Sequence, residues 1–572
     1  MKKYETNILL LSVVFCWAAA YVFIETASEV LSPFGYLATI NGIAAVLLIL
    51  AFLPRLLRTT MPEFLHGVIL GSVMTGVLLA EYAGVKLTNS STASLLSSLD
   101  LVVVPFLLLF LGKVPKKNQI AGILHILAGT VLSHKLSGSG NHIAGIFFMA
   151  LDGVLMAFYN VFSNRFCEKD DPVILATVQL FFMALVSLCL WYREDPAVFF
   201  GVAWTRRLVS AVLVLGFFSK AFAYIVLMYG EHYADPIDVV VIFALEPIIT
   251  MIFAACIPDS FGGAETAITR NGLICAAVII AGSIIAGMEP EELRELWRRI
   301  LCLFRSRRRA EKTAAALPET GAADSGEEAE PCRRTAGTWS PGQSFVKVFV
   351  TFVLLGGSFK VMTLIPGYTE IRPVNGAALP AGLLFGLPGA AACGLGNLAA
   401  DLFGTLKDTS VLGILVTFLQ AFIPYRLWGL YGEGGPDIHT RRNLAAYIFL
   451  TFAGALSCAW SLEYGIFYFS HTWIPRLLQY IFLNSLFFPL LLGLPVFVIL
   501  TSSSVRLVPA PALPWILPLS GPLRRGLFAA HLMIAAAFAV LTVLGITPAS
   551  GGNIFFPAAS FLAVLLLGAA LL

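Results

Sequence analysis

Charge is scarce in this 572-residue chain. Asp, Glu, Lys and Arg make up 12% of it, against 58% hydrophobic residues and a mean hydropathy of +0.85. Soluble globular domains carry about twice that share of charge, so a soluble fold is excluded. The net charge is only +3, which gives no footing for a nucleic-acid partner. Histidine is scarce too: the eight residues form no HExxH or HxxxH pair. The nine cysteines (Cys16, Cys167, Cys189, Cys256, Cys275, Cys302, Cys332, Cys393, Cys458) are scattered, mostly inside apolar runs. They suit neither a disulfide framework nor a zinc site. There is no GxxxxGK[ST] loop to cradle ATP and no GxSxG nucleophile elbow. With no reacting constellation, the expectation is a protein that is not an enzyme and needs no cofactor or metal.

What the chain has in abundance is apolar runs of roughly 18–22 residues, the length a helix needs to cross a bilayer core. Barrel strands would alternate over roughly ten residues, and these runs do not. The fold class is therefore all-α and polytopic. The first run begins near Asn7, after Lys2 and Lys3, and no small-residue cleavage pattern follows it, so it reads as a retained span.

Ten runs come first: 8–26, 34–53, 66–86, 91–112, 119–136, 143–163, 172–192, 208–229, 236–257 and 272–288. Then the composition changes. Residues 290–344 are a charged linker that opens with Arg294, Arg298, Arg299, Arg305, Arg307, Arg308 and Arg309 and closes in a Pro/Gly/Ala/Glu-rich tract. Too apolar-poor to bury a core, it forms a water-exposed bridge. Its WRRILCLFRSRRR segment has the make-up of an amphipathic helix on an anionic leaflet, or of a positive cluster that fixes topology. Runs resume at 346–365, 374–386, 388–404, 409–430, 443–469 and 473–502, with two more at 526–545 and 553–572. Lys/Arg placement favours an inside N-terminus, and continuing the count leaves both termini cytoplasmic.

The ten runs divide into 1–139 and 140–289, five spans each. An odd number of spans per repeat inserts the second copy upside down, and inverted repeats enclose a cavity near the midplane. An acidic helix sits in each half: Ser94-Leu95-Leu96-Ser97-Ser98-Leu99-Asp100, and Val240 through Glu246-Pro247. This region resembles the EamA-type members of the drug/metabolite transporter superfamily. The likeness rests on Trp17, the Tyr82–Ser98 segment (YAGVKLTNSSTASLLSS), Leu245-Glu246-Pro247 and the closing Gly272–Gly287 span. It implies a ten-helix inverted-repeat (5+5) carrier. Departures bear on the substrate: Glu25 stands where the family commonly has Lys, Asn41 where it has Arg, the fourth-span Pro is displaced to Pro105, and Lys113 replaces an acidic residue.

In residues 345–502 the stretch IPGYTEIRPVNGAALPAGLLFGLPGAAACGLGNLAADLFG joins two short segments through Gly386-Leu387-Pro388-Gly389. They cannot both be straight full-length spans, and broken helices at membrane depth persist only against protein or a watery cavity. Glu370-Ile371-Arg372-Pro373, Gly396-Asn397…Asp401 and Phe422-Ile423-Pro424-Tyr425 make this part similar to the S component of energy-coupling factor vitamin transporters. The expectation is a six-to-eight-helix S-component-like membrane domain. Residues 503–572 add two helices with no counterpart there.

An ionisable group in lipid is costly and marks a site by default. Glu246 and Asp100 are the expected midplane charges of a substrate site, with Glu81, Asp152 and Trp17 as further contacts. Each has a plainer alternative: a cap or kink at Glu246-Pro247, pairing of Asp100 or Glu81 with Lys86, pairing of Asp152 with Lys220, ordinary packing for Trp17. In the C-terminal part Arg372 and Asn397 are candidate ligand contacts, since a guanidinium grips a carboxylate by two bonds; the plainer alternative there is that Glu370 or Asp401 simply pairs with Arg372. Taken together the sequence reads as a metabolite carrier of the bacterial inner membrane, driven by a gradient. The expected partners are a small-molecule substrate, the lipid bilayer and, for the C-terminal domain, an external ATPase with coupling subunits. A homodimer is a further candidate. Two other readings stay open, a carrier gated by a C-terminal ligand sensor and a membrane enzyme on lipid-linked substrates.

Overall fold

The computed structural model describes residues 1–87, 96, 99–133, 142–194, 200–246, 248–249, 270–287, 340–360, 363–365, 368–404, 406–502, 509–548 and 555–572. The bridge up to residue 339, the Ser94–Ser98 stretch apart from Leu96, and the Glu25 side chain lie outside the described residues.

Nearly every apolar run becomes a helix. In the first 288 residues these are α1 (Lys3–Ser28), α2 (Pro33–Leu56), α3 (Met61–Val85), α4 (Asp100–Phe110), α5 (Lys117–Ser133), α6 (Ile143–Cys167), α7 (Pro172–Glu194), α8 (Arg206–Val214), α9 (Ala223–Tyr233), α10 (Pro236–Phe243) and α11 (Arg270–Gly287). A π-helical stretch, Leu215–Phe222, joins α8 to α9, so the three make one span. Starts are written locally: the Asp235 carboxylate accepts from the Ile237 amide at 3.0 Å, with Pro236 opening α10 where no amide is needed.

After the bridge come α12 (Pro341–Ser358), a hairpin of β1 (Thr363–Ile365) and β2 (Thr369–Glu370), α13 (Asn375–Asp401), α14 (Ser410–Tyr431), α15 (Arg441–Ser470), α16 (Leu477–Phe488), a π-helical turn Pro489–Gly493, α17 (Leu494–Thr501), α18 (Gly521–Val543) and α19 (Phe555–Leu571). Ser340 caps α12 reciprocally: its hydroxyl accepts from the Gln343 amide, and the Gln343 side chain accepts from the Ser340 amide. Ten described helices are long and apolar enough to cross a membrane. The chain is an all-α, multi-pass membrane protein.

One of those ten does not cross. A straight helix the length of α13, 27 residues, would run about 40 Å. Yet Arg372, just before it, donates to Asn397 at 2.7 Å and lies 3.3 Å from Asp401, its last residue. The chain reverses at Gly386, whose φ of 61° and ψ of −138° are open only to glycine. The two arms, 375–385 and 387–401, are roughly 16 and 22 Å long, short of the roughly 30 Å core. They pack tightly: a Cβ on Gly389 would sit 2.2 Å from the Ala381 carbonyl oxygen. α13 is a re-entrant hairpin, as the sequence expectation of two short segments requires.

Residues 509–520 lie under its tip. The Ala510 amide donates to the Leu384 carbonyl at 2.9 Å, and the Tyr425 hydroxyl to the Pro511 carbonyl at 2.6 Å. Arg426 and Arg524 each stack within 4 Å of the Trp515 ring centre (3.9 and 3.8 Å). Arg426 also donates to the carbonyls of Leu571 (2.7 Å) and Pro514 (2.9 Å). The last two helices thus hold the segment that closes the hairpin from below.

By contacts the chain forms two compact units. One joins Met1–Ala44, Trp191–Tyr233 and Gly337–Leu572; the other joins Ala45–Leu190 and Ala234–Ala336. In the first, α1 packs along α8–α9. In the second, α3 packs along α6, α4 against α10, and α5 against α11. The α5–α11 crossing brings backbones together, since a Cβ on Gly122 would meet the Gly282 carbonyl oxygen at 2.5 Å.

Candidate functional site

In the second unit, α4 and α6 bring three polar side chains together. Asp100 opens α4, and its Oδ1 accepts from the Leu101 amide at 2.8 Å. Across from it Asn160 of α6, 1% exposed, points its amide nitrogen at Asp100 Oδ2, 3.5 Å away. Asp152, two turns earlier on α6 and 5% exposed, acts on Asp100 as a like charge. Leu101 and Val104 of α4 share a core cluster with Val240 and Val241 of α10 and with Ile248; Leu245 packs against it. Glu246, half-buried, follows in that same turn. Glu81 is exposed near the end of α3. Lys86 turns to the Tyr82 hydroxyl and ring, so it is accounted for without Asp100.

In the first unit, Trp17 of α1 donates through Nε1 to the Ser219 carbonyl at 3.1 Å. Ser219 lies in the π-helical stretch, where the widened ladder frees carbonyls, and such stretches recur at functional positions. Lys220 stands 5.2 Å over the Tyr224 ring, and Trp17 and Tyr224 lie 6.2 Å apart. Phe218 continues the cluster to Phe359 (5.4 Å) at the end of α12 and to Phe488 (6.3 Å) of α16.

The mouth of the α13 hairpin holds the densest polar cluster. Lys360 Nζ lies 2.5 Å from both Glu370 Oε1 and Asp401 Oδ1. Arg372 lies 2.9 Å from Glu370 and 3.3 Å from Asp401, besides its bond to Asn397. Asn484 of α16 fixes the backbone there, accepting from the Arg372 amide at 3.2 Å and donating to the Glu370 carbonyl at 2.9 Å. The structure unites the two predicted contacts, Arg372 and Asn397, and also shows Arg372 paired with both carboxylates.

Sequence reasoning missed three of these residues. Lys360 was visible as a cation closing an apolar run. Asn160 and Asn484 carried no signal, because an isolated Asn within a span looks like any other. Asn41 had one, as a departure from the usual Arg; it is fully buried in α2, and neither of its amide atoms has a hydrogen-bond partner among the described residues. Among the described residues, no group of three His, Cys, Asp or Glu is placed to hold a metal ion.

Residues 5–134 and 143–288 each match the EamA-like transporter family. A protein of Archaeoglobus fulgidus named as an uncharacterized transporter is 29% identical over 267 residues, 44% of this chain and 88% of its own length. Another from Clostridium kluyveri, also named as an uncharacterized transporter, is 25% identical over 228 residues, 39% of this chain and 70% of its own. A solved crystal structure covers 52% of this chain and 99% of its own at 21% identity and a TM-score of 0.43, a likeness too weak to bear on the fold. The family match ends at residue 288, and the resemblance of residues 345–502 to an S component draws no support from it.

Proposed function

We propose, from the match of residues 5–134 and 143–288 to the EamA-like transporter family, that this membrane transporter is a secondary carrier moving a small metabolite by alternating access. The observation that carries the reading is an exchange of partners. The first helix of the first half (α1) packs on the third span of the second (α8–α9), and the first helix of the second (α6) packs on the third of the first (α3). Fourth pairs with fourth and fifth with fifth. That exchange is what two equivalent halves of one carrier are expected to show, and five spans per half makes the second an inverted copy.

On this reading Asp100, Asp152 and Glu246 are the buried charges, with Asn160 as a neutral polar contact. A buried carboxyl group in a low-dielectric site favours binding a proton or a cationic group, which suits a proton-coupled or cation-binding carrier. Glu81, exposed, takes a rim position. The Lys/Arg bias assigns both termini to the cytoplasm of a bacterial inner membrane. The family and the relatives' names point away from an enzyme.

The test is a metabolite-uptake screen in proteoliposomes with the full chain. Gradient-driven flux is expected, and it is expected to be lost in Glu246→Gln. Proton-coupled flux that survives this change removes Glu246 from the mechanism. A second reading, a carrier gated by its C-terminal body, gains weight from Phe359, which touches Phe217 and Phe218 and precedes Lys360 of the ionic cluster. Ligand binding at the C-terminal body without uptake of that ligand favours it.

A further inference from the structure

The hairpin-mouth cluster lies outside the family match and carries a chemistry of its own. Its four ionised groups, Lys360, Arg372, Glu370 and Asp401, sum to zero charge. Yet three polar atoms around them are buried without a hydrogen-bond partner among the described residues: Arg372 Nε, Asn397 Nδ2 and Glu370 Oε2. Asn397 and Glu370 are 3% and 2% exposed, so bulk water does not serve them. Two are donors and one is an acceptor. The backbone that carries Glu370 and Arg372 is held by both ends of the Asn484 amide, so the groups are preorganised.

We infer that this cluster is a binding site for a small zwitterion with an anionic oxygen group and a primary ammonium. The anionic group takes the donors, Arg372 Nε and Asn397 Nδ2, and the ammonium donates to Glu370 Oε2. Neutrality selects the class. A lone anion or cation would leave one uncompensated charge in a buried set that is already balanced, and that is costly in low dielectric. A zwitterion satisfies the three orphan atoms and leaves the sum at zero. Gly413 of α14 keeps room for this, since a Cβ there would stand only 3.0 Å from Asn397 Nδ2. The half-helix hairpin agrees: irregular backbone inside a membrane is found where it lines a cavity or a binding site.

The experiment uses the full chain in lipid nanodiscs and reads thermal unfolding. The probes are glycine, β-alanine, 4-aminobutyrate and taurine, which step the separation of charges; acetate, methylammonium and glycine betaine are the comparisons. At least one of the four zwitterions raises Tm in proportion to the logarithm of its concentration. Acetate and methylammonium lack one charge each, and betaine has no N–H to give Glu370; all three leave Tm unmoved. Asn397→Leu and Gly413→Ala abolish the shift, whereas Glu246→Gln in the carrier keeps it, which separates this site from the carrier reading. The proposal is overturned if no zwitterion moves Tm, in which case the cluster is a structural lock. It is equally overturned if acetate alone matches the zwitterions, or if the shift persists in both site variants.

Discussion

Arg372 and Asp401 stand 29 residues apart, at the two ends of one helical stretch, and their side chains lie 3.3 Å from each other. That contact turns a segment with the length and composition of a membrane span into a hairpin that enters and leaves on one side. Cysteines introduced at Ile371 and Phe403 are therefore expected to react with a membrane-impermeant maleimide from the same side. Labelling from opposite sides would mean that α13 crosses.

The same hairpin depends on Gly386. With φ at 61° and ψ at −138°, a Cβ is strained there, at a cost of about 1–3 kcal/mol. It would also approach Ala510 and Tyr425 to 3.0 and 3.1 Å. Gly386→Ala should lower the thermal midpoint of the purified protein accordingly, and a midpoint equal to that of wild type would contradict the turn.

Lys360 is enclosed by two carboxylates with only 6% of its side chain exposed. Removing one partner of a buried pair leaves charge uncompensated, for which about 3–5 kcal/mol is typical. Lys360→Met should be strongly destabilising. Adding Asp401→Asn to it should recover part of the loss, and a double variant no better than the single one would argue that the two do not share a network.

Asn41 separates packing from function. A buried amide with no partner costs about 1–3 kcal/mol. Asn41→Leu should therefore leave stability unchanged or raise it. If Asn41 meets the transported solute, uptake falls by about tenfold or more, the equivalent of one lost hydrogen bond to a polar ligand. Unchanged uptake would make Asn41 a packing residue.

The α5–α11 crossing has no room for side chains at Gly122 and Gly282. Gly122→Leu forces the helices apart and should cost about 1–3 kcal/mol or more through overpacking. Gly112, whose surroundings are open, serves as a control for expression, although its φ of 77° calls for Asn rather than Leu there.

Much of this was legible in the order of residues. The spans follow from apolar runs of the right length, and the hairpin was foreshadowed by Pro380, Gly386, Pro388 and Gly389. The pairing of Arg372 with Glu370 and Asp401 was one of two alternatives that the residue types allowed. The grouping of Asp100 with Asn160, or of Lys360 with Asp401, was not readable, because those residues are 60 and 41 positions apart and periodicity reports only on neighbours within a helix.

Composition alone settled that this is a multi-pass helical membrane protein, since a backbone in lipid must satisfy its own hydrogen bonds and these runs do so as helices. Tertiary structure decided that α13 folds back and which helices of the two halves become partners. It also decided that six polar side chains from four segments share one buried site. Those outcomes depend on close approaches of glycines and on charges finding one another across the fold, and neither is encoded in any single stretch of the chain.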